Sequence, residues 1–190
     1  MNEEHARLPD PSQPRRPSAA RAVFSWARDL ALSVVIAFVV IIFIYQPVKV
    51  EGTSMMPGLV DQERIFVNKF VYRFGIGSIK RGDLIVFWFP GDQTKSYIKR
   101  VIGVPGDTVA VDRGTLILNG RPLQEDYVPR EYRDYLSMPA RTVDPDNYFV
   151  LGDHRNSSND SRNGWLVPRS CIYGKAVFVY WPLERIGPVK

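Results

Sequence analysis

"GDLIVFWF" at residues 82–89 and "SYIKRVIGV" at residues 96–104 are the two segments that decide the fold. Both are rich in β-branched and aromatic residues, and the turn-forming residues Gly, Pro or Asp lie at or near their ends. Short apolar runs bounded in this way are typical of β-strands. The two segments therefore predict two strands.

The same pattern recurs through the chain after residue 45. Five more segments show it: "RIFVNKFVYRF" (64–74), "TVAVD" (108–112), "TLILNGRPL" (115–123), "NYFVLGD" (147–153) and "CIYGKAVFVYWPL" (171–183). "DRG" at 112–114 and "NG" at 119–120 predict hairpin turns, and no helical period is sustained in this region. We expect a mainly antiparallel β domain, in which the more polar residues 108–146 form a β-rich insertion or subdomain.

The N-terminal part of the chain has a different composition. Residues 1–21 are rich in Pro, Ser and Arg and predict a disordered tail. Residues 30–45 carry no charge, and their 16 residues give ~24 Å of helix, which "AVFSWA" before them extends. We interpret residues 22–45 as one transmembrane helix, since a cleaved signal peptide needs a small-x-small site that does not follow. A buried core helix is disfavoured because apolar residues cover every face.

The distribution of basic residues predicts the orientation of this anchor. Arg15, Arg16, Arg21 and Arg28 precede the apolar run, and only Lys49 closely follows it. By the positive-inside rule, the tail lies in the cytoplasm and residues 46–190 form an exported domain. The net charge of +5 is not concentrated in one stripe, so we expect no nucleic-acid partner. A single cysteine, Cys171, and two distant histidines predict no metal site and no cofactor.

"GTSMMPGL" at residues 52–59 contains a candidate nucleophile, Ser54. A serine hydroxyl needs a base near neutral pH, and the chain offers His154 or Lys99. Strand alternation places Lys99 on one face of its strand with Tyr97 and Val101, where burial would favour the neutral amine. From this strand alone, a lysine that protects a sheet edge is the simpler interpretation.

Four segments in this order, after one apolar span, resemble the conserved boxes of type I signal peptidases: "GTSMMPGL", "RGDLIVF", "YIKRVIGVPGD" and "GDHRNSSNDSR". The resemblance covers roughly residues 47–182 and implies a β-sheet catalytic domain with a Ser–Lys dyad. It matches Ser54 to the nucleophile and Lys99 to the general base. The serine that orients the lysine matches Ser158, although Ser157 stands beside it.

The resemblance also implies supporting roles for residues around the dyad. Asp160 and Arg162 match a structural ion pair, and Met55, Asp153 and Arg155 match supporting positions of the boxes. Gly52 stands where many relatives carry a serine that helps to hold the oxyanion, so the second donor of the oxyanion hole is open. His154 stands where relatives often have Asn, which fits a role in the loop.

The implied function is cleavage of signal peptides from exported preproteins after small-x-small sequences. The expected partners are these preproteins and the lipid bilayer, with the secretion translocon nearby, and the expected location is the bacterial cell membrane with the catalytic domain outside. Three alternatives remain open: a peptidase for one specialised substrate, a Ser–Lys protease of the self-cleaving repressor type, and a catalytically silent membrane-tethered binding module.

Overall fold

The computed structural model of the chain describes residues 19–73 and 77–189. The predicted tail, residues 1–21, lies outside the described residues except for residues 19–21, which are helical. Helix α1 spans Ala19–Ile44, and a second, four-residue helix, α2, spans Phe70–Arg73. The strands are β1 Tyr45–Lys49, β2 Arg64–Asn68, β3 Leu84–Phe89, β4 Asp92–Gly103, β5 Thr108–Asp112, β6 Thr115–Leu118, β7 Arg121–Pro122, β8 Met138–Thr142, β9 Asn147–Leu151, β10 Val167–Pro168, β11 Ile172–Trp181 and β12 Gly187–Pro188.

The N-terminal helix is apolar along most of its length. Within it, Ala19–Val39 is long and apolar enough to cross a membrane, with a mean hydropathy of 1.7. This span belongs to a unit of its own, residues 1–41, while residues 42–190 form the second compact unit. The predicted span is residues 22–45. The helix begins three residues earlier than this span, and it ends one residue earlier than the span does, because Tyr45 starts β1.

The β unit contains two antiparallel sheets. Among the described residues, the larger sheet has the order β1-β2-β11-β3-β4-β9-β10, with β12 paired to β11. The smaller sheet has the order β7-β6-β5-β8 and lies within the predicted insertion, residues 108–146. The prediction of a mainly antiparallel β fold is therefore confirmed.

The first four residues of β3, Leu84 to Phe87, are all buried, as expected of a central strand covered on both faces. One core cluster joins the two sheets, because Ile102, Phe149 and Leu151 of the larger sheet pack with Val109 and other residues of the smaller one. This packing fixes β4, which runs between β3 and β9 in the interior of the larger sheet. Strand β3 pairs with β4 over Asp92–Arg100, and β9 pairs with it over Arg100–Gly103.

The predicted hairpin turns are present. Arg113 and Gly114 connect β5 to β6, and Asn119 and Gly120 connect β6 to β7, all with positive φ. Positive φ at both central residues is what a tight hairpin turn requires.

The prediction of one strand over residues 64–74 is wrong in its second half. Strand β2 ends at Asn68, whose side-chain Oδ1 accepts a hydrogen bond of 2.9 Å from the Phe70 N–H. This local bond favours the helical turn of α2 over further pairing.

Candidate active site

Ser54 lies in the loop that connects β1 to β2. Backbone hydrogen bonds close the loop at its base, from Val50 N–H to Glu63 O at 2.7 Å and from Gln62 N–H to Val50 O at 2.9 Å. Met55 is 3% exposed and packs into the core beside Leu59, so the residue after Ser54 anchors the loop. The Ser54 side chain itself is half-buried.

Gly52 has a φ of +93°, a conformation that is strained for residues with a Cβ. Its N–H donates to Asp61 Oδ1 at 2.8 Å, which holds this turn of the loop. This backbone conformation explains why position 52 favours glycine in this chain. It leaves no side-chain hydroxyl here to serve an oxyanion.

Lys99 points from β4 to the serine. Its Nζ lies 2.5 Å from Ser54 Oγ, and the residue is 4% exposed. Lys99 pairs with Ile85 of β3, whereas β9 pairs with β4 only from Arg100 onward. A lysine that protects a sheet edge extends into the solvent, so the burial of Lys99 and its contact with Ser54 argue against that interpretation.

The environment of Lys99 favours its neutral form. Burial lowers the pKa of the amine to about 8, and the carboxylates of Asp160 and Asp153 oppose this effect only in part. The cause is the loss of hydration of the ammonium, which has no compensating ion pair among the described residues. An amine with this pKa is partly neutral near physiological pH.

The loop after β9 covers the dyad from another side. A Cβ placed on Gly152 would lie 2.5 Å from Ser54 O and 2.3 Å from Ser158 Oγ, so these groups flank Gly152 closely. The Ser158 hydroxyl is buried and has no hydrogen-bond partner among the described residues. Ser157 is exposed, so of the two serines it is Ser158 whose hydroxyl is buried beside Gly152 and near Ser54 O.

His154 contacts the backbone of the Ser54 loop. Its N–H donates to Ser54 O at 3.1 Å, and its Nδ1 lies 3.1 Å from Thr53 O. The ring packs against Tyr132, with the ring centroids 4.3 Å apart. Ser54 Oγ lies 2.5 Å from Lys99 Nζ, whereas His154 contacts the backbone carbonyls of Thr53 and Ser54, so the geometry favours Lys99 over His154 as the base.

The supporting charged residues form ion pairs that hold the Gly152 loop. Arg162 binds Asp160 through Nε and Nη2, both at 2.8 Å, and its Nη1 also binds Asp134. The Asp160 carboxylate accepts the Gly152 N–H at 3.1 Å. This pair therefore fixes the loop that carries Ser158, and it does not touch Ser54 Oγ.

Asp153 and Arg155 each bind a partner that the sequence motifs did not suggest. Arg100 donates to Asp153 through Nε at 2.8 Å and Nη2 at 2.6 Å. Arg155 donates through Nη1 to Glu125 at 2.7 Å, and also through Nη2. Sequence spacing could not reveal these pairs, because their members lie 53 and 30 residues apart.

Ser54 and Lys99 open into a cleft of about 570 Å³. The cleft lies between residues 48–55 and residues 94–99, and Val86 and Asn159 complete its lining. A larger cavity of about 1000 Å³, beside Tyr72 and Arg169, is lined by neither Ser54 nor Lys99. Within residues 19–73 and 77–189, no three His, Cys, Asp or Glu side chains are grouped so as to hold a metal ion.

The chain is similar to known proteins over most of its length. Residues 23–181 match the family described as "Signal peptidase, peptidase S26". Signal peptidase I S of Bacillus subtilis (strain 168) is 38% identical over 89% of this chain and 95% of its own length. Signal peptidase I of Leptolyngbya laminosa is 38% identical over 93% of this chain and 90% of its own length.

One solved structure is also similar, a crystal structure of a signal peptidase I from Enterococcus faecalis V583. It shares 32% sequence identity and covers 52% of this chain and 96% of that chain, with a TM-score of 0.46.

The family match and the relatives of similar length define the class of the protein as serine endopeptidase. More narrowly, the chain belongs to the signal peptidase family, peptidase S26.

Proposed function

We propose that this protein cleaves N-terminal signal peptides from exported preproteins, with Ser54 as nucleophile and Lys99 as general base. One observation carries the proposal: the buried Lys99 Nζ lies 2.5 Å from Ser54 Oγ. Family membership and the names of the relatives support signal peptides as the substrate class. Cleavage after small-x-small sequences is the specificity expected from the four sequence boxes.

In the first half of the reaction, neutral Lys99 accepts the hydroxyl proton as Ser54 Oγ attacks the scissile carbonyl carbon. The carbonyl oxygen becomes an oxyanion in the tetrahedral intermediate. The Lys99 ammonium then gives its proton to the leaving amine as the C–N bond breaks, which leaves an ester on Ser54. With a pKa of about 8, roughly one tenth of Lys99 is neutral at pH 7, compared with less than ~0.1% for an ordinary lysine.

In the second half, Lys99 is neutral again and accepts a proton from water. The water oxygen attacks the ester carbonyl, and collapse of the second intermediate returns a proton to Ser54 Oγ. One peptide bond is hydrolysed and the enzyme is restored. A single amine thus serves both halves, which requires that its pKa lie near the working pH.

The backbone N–H of Ser54 is the donor we assign to the oxyanion. It has no acceptor among the described residues, so it is free to bind the oxygen of a substrate. A fixed donor at this place stabilises charge as it develops and needs no reorganisation during the reaction.

Ser158 is the residue we assign to orienting Lys99. A buried hydroxyl without a partner is costly, by about 1–3 kcal/mol, so its retention needs a reason. Its position beside Gly152, which Ser54 O also contacts, supports this role. When Ser54 Oγ is esterified, Lys99 loses that neighbour, and a second hydroxyl would keep the amine in place.

The edge of β4 supports binding of the substrate as an extended strand. This strand pairs with β3 along Asp92–Arg100, but with β9 only from Arg100 to Gly103. In the described part of the chain, the backbone of residues 92–99 therefore lacks a strand partner on one side. That side borders the cleft, so a peptide that adds to it by β-augmentation passes Ser54.

We further propose that α1 anchors the enzyme in the bacterial cell membrane. Its 26 residues give ~39 Å of helix, which exceeds a ~30 Å hydrocarbon core. Arg28 and Asp29, the charges next to the apolar run, are exposed and form an ion pair of 2.9 Å. With the basic residues before the span in the cytoplasm, the cleft faces the side on which preproteins leave the translocon.

The test is cleavage of a preprotein with an Ala-x-Ala junction by the detergent-solubilised full chain, with the product masses read by mass spectrometry. Wild type is expected to cut after the second Ala, while Ser54→Ala and Lys99→Ala are expected to be folded and inactive. Activity of Lys99→Ala at the wild-type rate would contradict the dyad. A folded wild type that cuts no preprotein with such a junction would support a single specialised substrate or a silent binding module.

A further inference from the structure

The backbone on either side of the Thr53–Ser54 peptide bond is held by one residue, His154. The His154 N–H donates to Ser54 O at 3.1 Å, and its Nδ1 lies 3.1 Å from Thr53 O. A carbonyl oxygen only accepts hydrogen bonds, so Nδ1 carries a proton and donates it to Thr53 O. His154 thus binds the carbonyls of two successive residues.

The contact to Thr53 O bears on the proposed oxyanion donor. Thr53 O and the Ser54 N–H belong to one planar trans peptide unit, so the direction of the carbonyl fixes the direction of the N–H. Thr53 O also accepts the Met56 N–H at 3.0 Å. The peptide plane cannot rotate without breaking both bonds, and only the one from His154 comes from outside the loop.

We infer that His154 is a positioning residue that orients the Ser54 N–H toward the oxyanion of the reaction. This inference rests on the proposed function and adds a residue to it. Gly52 supplies no hydroxyl to the oxyanion and lies in a backbone region without side-chain packing, since a Cβ there would meet nothing within 4 Å. The Ser54 N–H therefore carries more of the stabilisation here, and its orientation needs support from a neighbouring element.

The test compares His154 variants that keep or lose the donor. His154→Asn places an amide N–H close to the position of Nδ1, while His154→Leu has a similar size and no donor. His154→Asp has the shape of Asn and, when ionised, only accepts, so it serves as a second variant without the donor. Each variant is made in the full chain, its melting temperature is measured, and kcat and KM are determined separately with a blocked signal-peptide substrate.

We expect His154→Asn to keep kcat within about 3-fold of wild type. We expect His154→Leu and His154→Asp to lower kcat by roughly 10–100-fold with little change in KM, since complete loss of one donor typically costs ~10²–10³-fold. The affinity for a substrate-like peptide aldehyde, whose adduct with Ser54 carries an oxyanion, should fall by a similar factor. The pH–rate profile of His154→Asn should keep the same ascending limb as wild type.

The inference is overturned if His154→Leu and His154→Asp retain the kcat of wild type, or if His154→Asn loses as much kcat as His154→Leu. The second result would assign His154 to packing against Tyr132. Loss of the ascending pH limb in His154→Asn would make His154 the base, which would contradict both this inference and the dyad. A wild type that cuts no signal peptide would refute the proposed function itself, and the inference with it.

Discussion

A methyl group on Gly152 is the smallest change that would disturb the site without removing any of its functional groups. In Gly152→Ala, the new Cβ would lie 2.3 Å from Ser158 Oγ, 2.6 Å from Ser158 Cβ and 2.5 Å from Ser54 O. The φ of Gly152 is one that any residue adopts, so the effect comes from these contacts and not from backbone strain.

The contacts set the size of the expected effect. Separations below 3.0 Å require the neighbours to retreat, by at least ~0.5 Å for Ser54 O, which the His154 N–H holds in place. A misplacement of about 1 Å in a catalytic group costs roughly 100-fold in rate. Overpacking of this kind also costs about 1–3 kcal/mol of the free energy of unfolding. Because the required displacement lies between about half of this 1 Å and the whole of it, we expect kcat/KM to fall by about 10–100-fold while the protein remains folded.

The assay is steady-state cleavage of a blocked signal-peptide substrate, with urea unfolding followed by tryptophan fluorescence. Gly187→Ala is the matched control, because its added Cβ meets nothing within 4 Å and its φ is not in the positive region. The control is expected to match wild type in rate and stability. If Gly152→Ala cuts as fast as Gly187→Ala, the close packing of Ser54, Gly152 and Ser158 has no part in activity, and the reasoning is refuted.

Two further predictions concern stability. Burial disfavours the charged form of Asp107, but hydrogen bonds, first of all from Arg81, outweigh burial and hold its pKa at about 2. The carboxylate therefore stabilises the fold above pH ~4, and this contribution is lost as the pH falls through about 2. Asp107→Asn lacks this carboxylate and should lose less stability on acidification. Between pH 5 and pH 2.5, the loss in the free energy of unfolding, measured by urea unfolding, should be roughly 1–2 kcal/mol smaller in Asp107→Asn than in wild type. An equal loss in both proteins would contradict this. Arg185 binds the buried Glu63 and donates to Pro57 O at 3.0 Å, so Arg185→Ala should lower the free energy of unfolding by about 1–3 kcal/mol. If Arg185→Ala lowers the free energy of unfolding by less in a Glu63→Gln background, the Arg185–Glu63 ion pair is the cause. An equal effect in both backgrounds would exclude the ion pair as the cause.

Local patterns in the sequence were sufficient to predict most of the longer strands and the two hairpin turns. Runs of β-branched and aromatic residues bounded by turn residues predict β3 and β11, and "NG" at 119–120 predicts its hairpin, because these depend on neighbouring residues only. The end of β2 was missed because aromatic and β-branched residues follow it, and the side chain of Asn68 decides the conformation there. Strand β1 was missed because it directly follows the apolar run and is only five residues long.

The site was predictable only where it coincides with contiguous motifs. The proximity of Ser54 and Lys99 was an expectation from the four boxes, not from spacing, since 45 residues separate them. The partners of the supporting charges, Arg100 and Glu125, could not be predicted because they depend on how strands and loops meet in space. The choice between Ser157 and Ser158 likewise needed the fold, which exposes one side chain and buries the hydroxyl of the other.

The most direct test of the Ser54–Lys99 dyad is the pH dependence of kcat/KM for the full chain in detergent. The substrate should have blocked termini and no group that titrates between pH 6 and 10, and Ser54→Ala measures the background. If neutral Lys99 is the base, kcat/KM rises with pH and its ascending limb has a midpoint near the Lys99 pKa of about 8. A midpoint near ~6.5, as for histidine, or near ~10.4, as for an ordinary exposed lysine, would contradict the dyad as described.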